Sequence, residues 1–414
     1  VYHFIKKPEK GALPLGKPRN FQVRESCKVQ AAALAHAVKH NPFLCSKIWG
    51  IDAANLEIGC RPEVFATEFR YLQDLSPNSP TFSKEDPIYP HIFTTYHAGE
   101  DFLDIADGLR AIDEAVHFLC LERGSRIGHA LALGVDPDLH YMNKRNRIIL
   151  PKQDLLDNFV WLSFRSHELN VHMDEQQKEL LLDKAEELFA EIYHPELHTG
   201  GPYNGLYEYY CSMQLRGDDP ELYFTLPLRT REPFAVDRRE NYRLCPDESL
   251  KKYREIDAIT SLYQAYHYDE GVRRRGSESE AFIISSSYID LIRSMQEKLA
   301  EQILAKGIMI ECNPTSNYLI GTFRRYDRHP IIRFNNAGLV RLDGKYTPSF
   351  NLSVSINTDD LGVFDTTLEN EYVMLTAALS GMRENGKQVY SLDSVYRYME
   401  NVREMGFEQS FFFR

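Results

Sequence analysis

The 414-residue chain carries 60 acidic against 48 basic residues, a formal net charge of -12, with 43% hydrophobic and 12% aromatic content. That balance excludes a protein that coats nucleic acid by phosphate neutralisation alone, and no apolar stretch approaches the roughly 18 to 20 residues that span a bilayer. The length suits one large domain with an elaboration, or two domains, and seven scattered cysteines, odd in number and never in a CxxC pair, point to a reducing cytoplasm rather than a disulfide framework or a thiolate zinc site.

Taken in order, the first ten residues, VYHFIKKPEK, pair a short strand-like run with basic residues and do not resemble a signal peptide. Residues 28–39 (VQAAALAHAVKH) show the three- and four-residue apolar spacing of a helix. Ile48 to Ile51 then form an apolar run ending at Asp52, and Ile92 to Tyr96 form another ending at His97. Continuous runs of this length suit strands covered on both faces. Phe102, Ile105, Ala106, Leu109, Ile112, Val116 and Leu119 predict an amphipathic helix ending near Gly124. A short run then leads to Arg126-Ile127-Gly128-His129.

From about 137 to 287 this rhythm breaks. The segment is rich in Tyr, Glu and Arg, with a strong helical run at 175–192 and loops marked by HTGGPYNG and LRGDDPE. It reads as a helical lobe inserted between residues 1–136 and residues 288–414. The rhythm resumes with a helix over 288–305, the run Ile308 to Ile310 before Glu311, and Leu352 to Ile356 leading into Asn357-Thr358-Asp359-Asp360. Strand, polar tip and helix in alternation predict an α/β fold built on a parallel sheet or barrel, whose functional groups collect at the C-terminal strand ends. The basic clusters Lys144 to Arg147, Arg273 to Arg275 and Arg324-Arg325 read first as solvated faces or internal ion pairs, although those of the lobe have the charge to grip phosphates.

The polar tips carry the chemistry. Metal-assisted hydrolysis needs imidazole or carboxylate ligands, an acid or base near the attacking water, and groups that hold the substrate. His97 with Glu100, then His129, then the pair Asp359-Asp360 offer these in chain order. Singly, a strand-end histidine is a hydrogen-bonded structural residue and an Asp pair before a helix is an N-cap.

As a set, Gly50-Ile51-Asp52-Ala53-Ala54 with Glu57, His97-Ala98-Gly99-Glu100, Arg126-Ile127-Gly128-His129, Glu311-Cys312-Asn313-Pro314-Thr315-Ser316-Asn317, His329-Pro330 and Asn357-Thr358-Asp359-Asp360 with Leu368 to Tyr372 resemble the adenosine deaminase family of metal-dependent hydrolases. The resemblance implies a (β/α)8 TIM-type barrel with one catalytic Zn2+. His97 and Asp359 would be zinc ligands, Glu100 would protonate the purine at N1, His129 would orient or deprotonate the water, and Asp360 would hydrogen-bond the purine at N7. Asn55 stands where the family places a glycine whose backbone approaches the substrate. The implied reaction converts an adenosine moiety, as nucleoside, nucleotide or RNA, to inosine and ammonia.

The family also holds its zinc with a His-x-His pair on the first strand, and no such pair occurs in this sequence. With Val1 to Ile5 read as the third strand, six of the eight strands are expected here, and the chain reads as the C-terminal part of a longer protein. A catalytically incomplete scaffold is the alternative. The length and the large insertion resemble the deaminase subunit of the RADAR antiphage system, which implies a cytoplasmic homo-oligomer assembled through the insertion, an ATPase partner, and no membrane.

Overall fold

The computed structural model describes residues 1–11, 14–75, 91–193, 204–224, 238–321 and 323–411. Six strands, β1 (Tyr2–Ile5), β2 (Gly50–Ala54), β3 (Phe93–Ala98), β4 (Arg126–His129), β7 (Met309–Cys312) and β8 (Val354–Ile356), form one sheet in that order. Every neighbouring pair is parallel. This is an α/β sheet consistent with the TIM-type expectation. Among the described residues β1 and β8 are its edges and do not meet.

The strands are short because their residues are covered on both faces. Ile51, Ala53, Tyr96, Ala98, Ile127, Ile310, Cys312, Val354 and Ile356 all belong to one continuous core, the pattern of a parallel sheet sheltered by helices. The first helix, Phe21–His40, starts well before the periodic stretch that announced it. The helix Ser286–Lys306 begins at an N-cap, where Ser285 accepts the Tyr288 N–H, and ends on Gly307 at φ 66°. The helix Ile105–Phe118 stops short of Gly124, because Cys120 already takes a left-handed conformation at φ 55°.

The segment between β4 and β7 rises on a two-stranded stem. β5 (Arg147–Pro151) runs antiparallel to β6 (Ser279–Ile283), with Arg147 opposite Ile283 and Pro151 opposite Ser279. Between them lie the helices Lys152–Glu168, Glu175–Tyr193, Asn204–Gln214 and Asp257–Tyr268. The LRGDDPE stretch forms a short 3-10 turn and a loop, while residues 198–203 of HTGGPYNG lie outside the described residues. Lobe and sheet share one core, since Leu155, Phe159, Trp161, Phe189 and Tyr209 belong to the same apolar cluster as the strands. A smaller cluster around Cys211, Leu215, Tyr223, Cys245 and Tyr263 is separate.

Charge is buried at this junction. Arg110, fully buried, meets Glu114 at 2.9 Å and Asp157 at 3.3 Å, and Arg216 meets Asp157 at 2.6 Å. Buried guanidinium and carboxylate groups persist only when paired and hydrogen-bonded in this way. No described helix is long and apolar enough to cross a membrane.

Candidate metal centre and active site

The site is assembled at the C-terminal strand ends by residues in an uncommon backbone conformation. Asn55 after β2 (φ 85°), Gly99 after β3 (φ 76°), His129 at the end of β4 (φ 65°) and Asp359 after β8 (φ 58°) all lie in the left-handed region. Such positions cost free energy in residues other than glycine and cluster where function demands them. Gly99 is also sterically obligatory, because a Cβ there would stand 2.7 Å from Ile112 Cδ1. A Cβ on Gly128 would stand 3.0 Å from His97 Nδ1, so a glycine lets that imidazole lie across β4.

The result is convergence. His97, His129 and Asp359 each place one ligand atom within 4.8 Å of the others. The two imidazole centroids are 4.6 Å apart, and His129 Nε2 lies 3.7 Å from Asp359 Oδ2. Glu100 joins from the same turn as His97, its Oε1 2.9 Å from His129 Nδ1. Two nitrogens and one carboxylate oxygen are a donor set that suits a zinc ion with an open position for water. The residues present therefore fit the implied metal, with His129 facing the same space as His97 and Asp359.

Around these four stands a layer that sequence reading gave no role. Asp52 is buried within β2 rather than at its tip, with Oδ2 2.8 Å from His97 Nδ1 and 3.2 Å from His3 Nδ1. Burial opposes charge on His97, but Asp52 outweighs it and pushes the imidazole up to about 9. Burial would raise Asp52 too, yet His97 and then His3 hold it well below the usual carboxylate range. Glu57 accepts the backbone N–H groups of Gly99 at 2.8 Å and Glu100 at 3.3 Å, which fixes the turn. Asn317, fully buried on the helix Pro314–Ile320, places Nδ2 2.6 Å from His129 Nδ1 and 3.2 Å from Glu100 Oε1. Its Oδ1 lies 3.0 Å from His329 Nε2. Burial and the neighbouring His129 push His329 down to about 3, so it stays neutral, with Nδ1 accepting the Ile331 N–H and Nε2 donating to Asn317.

The structure places four further residues of the expected set as follows. Glu100, expected to protonate the purine, is held below its ordinary pKa: burial favours the acid, but His129, then His97 and Asn317, outweigh it. Asp360 is exposed; its side chain caps the helix Leu361–Phe364 by accepting from Gly362 N at 3.1 Å, and its own N–H donates to Asp359 Oδ1 at 2.9 Å. Asn55 is exposed and donates to the Lys6 carbonyl at 3.3 Å. Glu311, read as a strand tip, lies within β7 and is paired with Arg126 at 2.9 Å and Thr95 at 2.7 Å.

Beside His97 opens a cavity of about 410 Å³ between sheet and lobe. Lys6, Glu57 and Asp101 line one side, and Asp154, Tyr266, Arg273 and Arg274 of the lobe line the other. Arg273 is already engaged, at 3.4 Å from Glu9 and 3.9 Å from Glu270, and Arg275 donates to the Ile192 carbonyl at 2.7 Å. Arg274 is exposed on the cavity wall.

Residues 286–395 match the family model described as adenosine deaminase. An aminodeoxyfutalosine deaminase of Streptomyces coelicolor is 36% identical over 89 residues, covering 22% of this chain and 19% of that protein. An adenosine deaminase of Plasmodium cynomolgi is 30% identical over 87 residues, covering 21% of this chain and 20% of that protein. The chain thus spans about a fifth of the length of these curated relatives. The family segment holds Asn317, Asp359 and Asp360, whereas His97, Glu100 and His129 precede it and are joined to it by the fold. Family segment, relatives and parallel α/β sheet together support the adenosine deaminase family for this chain, the match itself lying within residues 286–395.

Proposed function

We propose that this protein is a zinc-dependent deaminase acting on an adenosine moiety, releasing ammonia and leaving inosine. The observation that carries this reading is the meeting of His97, His129 and Asp359 with Glu100 hydrogen-bonded to one of them. His97, Asp359 and the nearby His129 would hold the ion, which when bound supplies a water of lowered pKa.

The chain's own residues supply the rest. Attack at an aromatic C6 breaks ring conjugation, so a proton delivered to the adjacent N1 makes the carbon electrophilic. Glu100 is the group placed to carry that proton, and it takes it up from the His129 side, where Oε1 and Nδ1 are 2.9 Å apart. Asn317 holds both partners in register. Asp360, turned to solvent on its helix cap, would meet the purine at N7 when a substrate covers that mouth.

Incubation with zinc and adenosine, ATP or RNA should release ammonia and shift the adenosine absorbance. Glu100→Gln should lower the rate by about 10²- to 10⁴-fold, the usual size of a general acid–base contribution. Ammonia release from none of the three substrates, in zinc-loaded protein, would sink the reading. The large insertion supports a place in an antiphage assembly of RADAR type, in which further copies of the chain and an ATPase would be partners. Because Arg273 and Arg275 are already paired, Arg274 is the lobe residue best placed to favour nucleotides. Equal kcat/KM for adenosine and ATP in wild type and Arg274→Ala would remove that role.

The absence of a His-x-His pair from the sequence favours a second reading, a non-catalytic scaffold of the same fold. Metal analysis separates the two, since a scaffold purifies without stoichiometric zinc.

A further inference from the structure

Two of the seven cysteines, far apart in sequence, converge on one carbonyl oxygen. Where the helix Ile105–Phe118 ends, Cys120 at φ 55° turns its N–H to 3.4 Å and its Sγ to 3.8 Å from the His117 oxygen. Cys245, from the lobe, brings its Sγ to 3.6 Å of the same atom, so the two thiols meet over one oxygen.

The pair sits in a rigid frame. Cys245 N–H donates to Asp218 Oδ1 at 2.7 Å, and its carbonyl accepts from Arg254 at 2.7 Å. The Arg70 guanidinium spans the same junction, donating to the carbonyls of Phe118, Gly217 and Tyr242. Cys120 is half-buried and Cys245 is 4% exposed.

We propose that Cys120 and Cys245 form a reversible disulfide with hydrogen peroxide as oxidant, a modification that staples the lobe to the end of the helix Ile105–Phe118. The Cys245 thiolate attacks one peroxide oxygen, so that an S–O bond forms, the O–O bond breaks, and hydroxide leaves to become water. Cys120 then attacks the resulting sulfenic sulfur, so that the S–S bond forms, the S–O bond breaks, and a second water departs with the Cys120 proton. Two thiols are oxidised by two electrons and one peroxide is reduced to two waters.

The electrostatics agree with that order. The adjacent Cys120 thiol pulls Cys245 below the ordinary thiol range, with burial opposing it and Arg70 assisting, while Cys245 and burial raise Cys120. A disulfide of this kind in a reducing compartment is a transient, signal-responsive one. It would tie the small apolar cluster containing Cys245 to the main core on which the Ile105–Phe118 helix packs, and it is independent of the proposed deaminase activity.

Purified, reduced protein treated with a small excess of hydrogen peroxide should lose two hydrogen masses. Non-reducing peptide mapping should join the peptides containing Cys120 and Cys245, and dithiothreitol should separate them. In Cys120→Ser the joined peptide should vanish, and dimedone should trap a sulfenic acid on Cys245. The fully buried pair Cys27 and Cys60 should remain reduced. Addition of oxygen atoms without a cross-link in the wild-type protein, or a cross-link through any other cysteine, would overturn the proposal. Mapping the wild type decides this even if the variant does not fold.

Discussion

Gly99 has two reasons to be glycine and each is measurable. Its φ of 76° and the 2.7 Å approach of Ile112 to its missing Cβ mean that Gly99→Ala must move the turn carrying His97 and Glu100. We expect a loss of about 1 to 3 kcal/mol in stability, read as a lowered urea midpoint at unchanged m-value. Asn317 is the complementary case, a buried amide that orients His129 and Glu100 together. Asn317→Ala leaves those groups without it, and outer partners of this type are worth about 10- to 100-fold in metal affinity. Zinc competition against a chromophoric chelator should show that weakening, and an unchanged affinity would show that Asn317 only fills space.

At the scale of elements, the helix Ile105–Phe118 is held to the lobe helix Lys152–Glu168 by buried charge rather than by apolar contact alone. Asp157 receives Arg216 and Arg110, and Asp113 receives Arg165. Burial would raise both carboxyls, but Arg216 and Arg110 for the one, and Arg165 and His117 for the other, pull both well below the usual range. A depressed carboxyl contributes stability that is present above its unfolded pKa, about 3.9, and is lost as pH falls toward the folded value. Unfolding free energy should therefore decline as the pH drops below about 4. Asp157→Ala at neutral pH should cost about 3 to 5 kcal/mol, because two buried guanidinium groups lose their partner; calorimetry at pH 7 checks this.

The elements differed in how far they could be read in advance. The polar tips after β3, β4 and β8 were legible because imidazole and carboxylate after a β-branched run break the local pattern. So was the helix Ser286–Lys306, whose apolar spacing and caps agree with each other. The partnership of Asp52 with His97, and of Asn317 with His129, was not, since both are contacts across the sheet that no local spacing encodes. The stem strands RIILP and SEAFI were missed for the same reason. Each is short, and each becomes a strand only opposite the other.

Over the whole molecule, the sheet is sealed at the end opposite the candidate site by the chain's last described residues. After the helix Leu392–Gln409, Phe411 stacks on Phe93 at 4.9 Å and lies 3.5 Å from the Arg126 guanidinium. Gly50 makes room for it, since a Cβ there would stand 2.6 Å from the ring. Phe411→Ala should cost about 3 kcal/mol and expose the Arg126–Glu311 pair to water, with a lowered melting temperature as the readout. The proposed activity at the other end should be affected only through stability.

The stem has a further consequence. Arg147 and Ile283 face one another across a ladder, so the chain enters and leaves the lobe one strand-spacing apart, about 5 Å. To the parallel sheet, the whole lobe is therefore a single loop whose ends already touch, and lengthening such a loop raises closure entropy only logarithmically. A module of any size can be grafted at that point without asking the sheet to rearrange. The shared core then makes the graft hard to reverse: excising it would lay bare the faces that Phe159 and Trp161 now cover, turning an easily acquired appendage into an obligatory part of the fold.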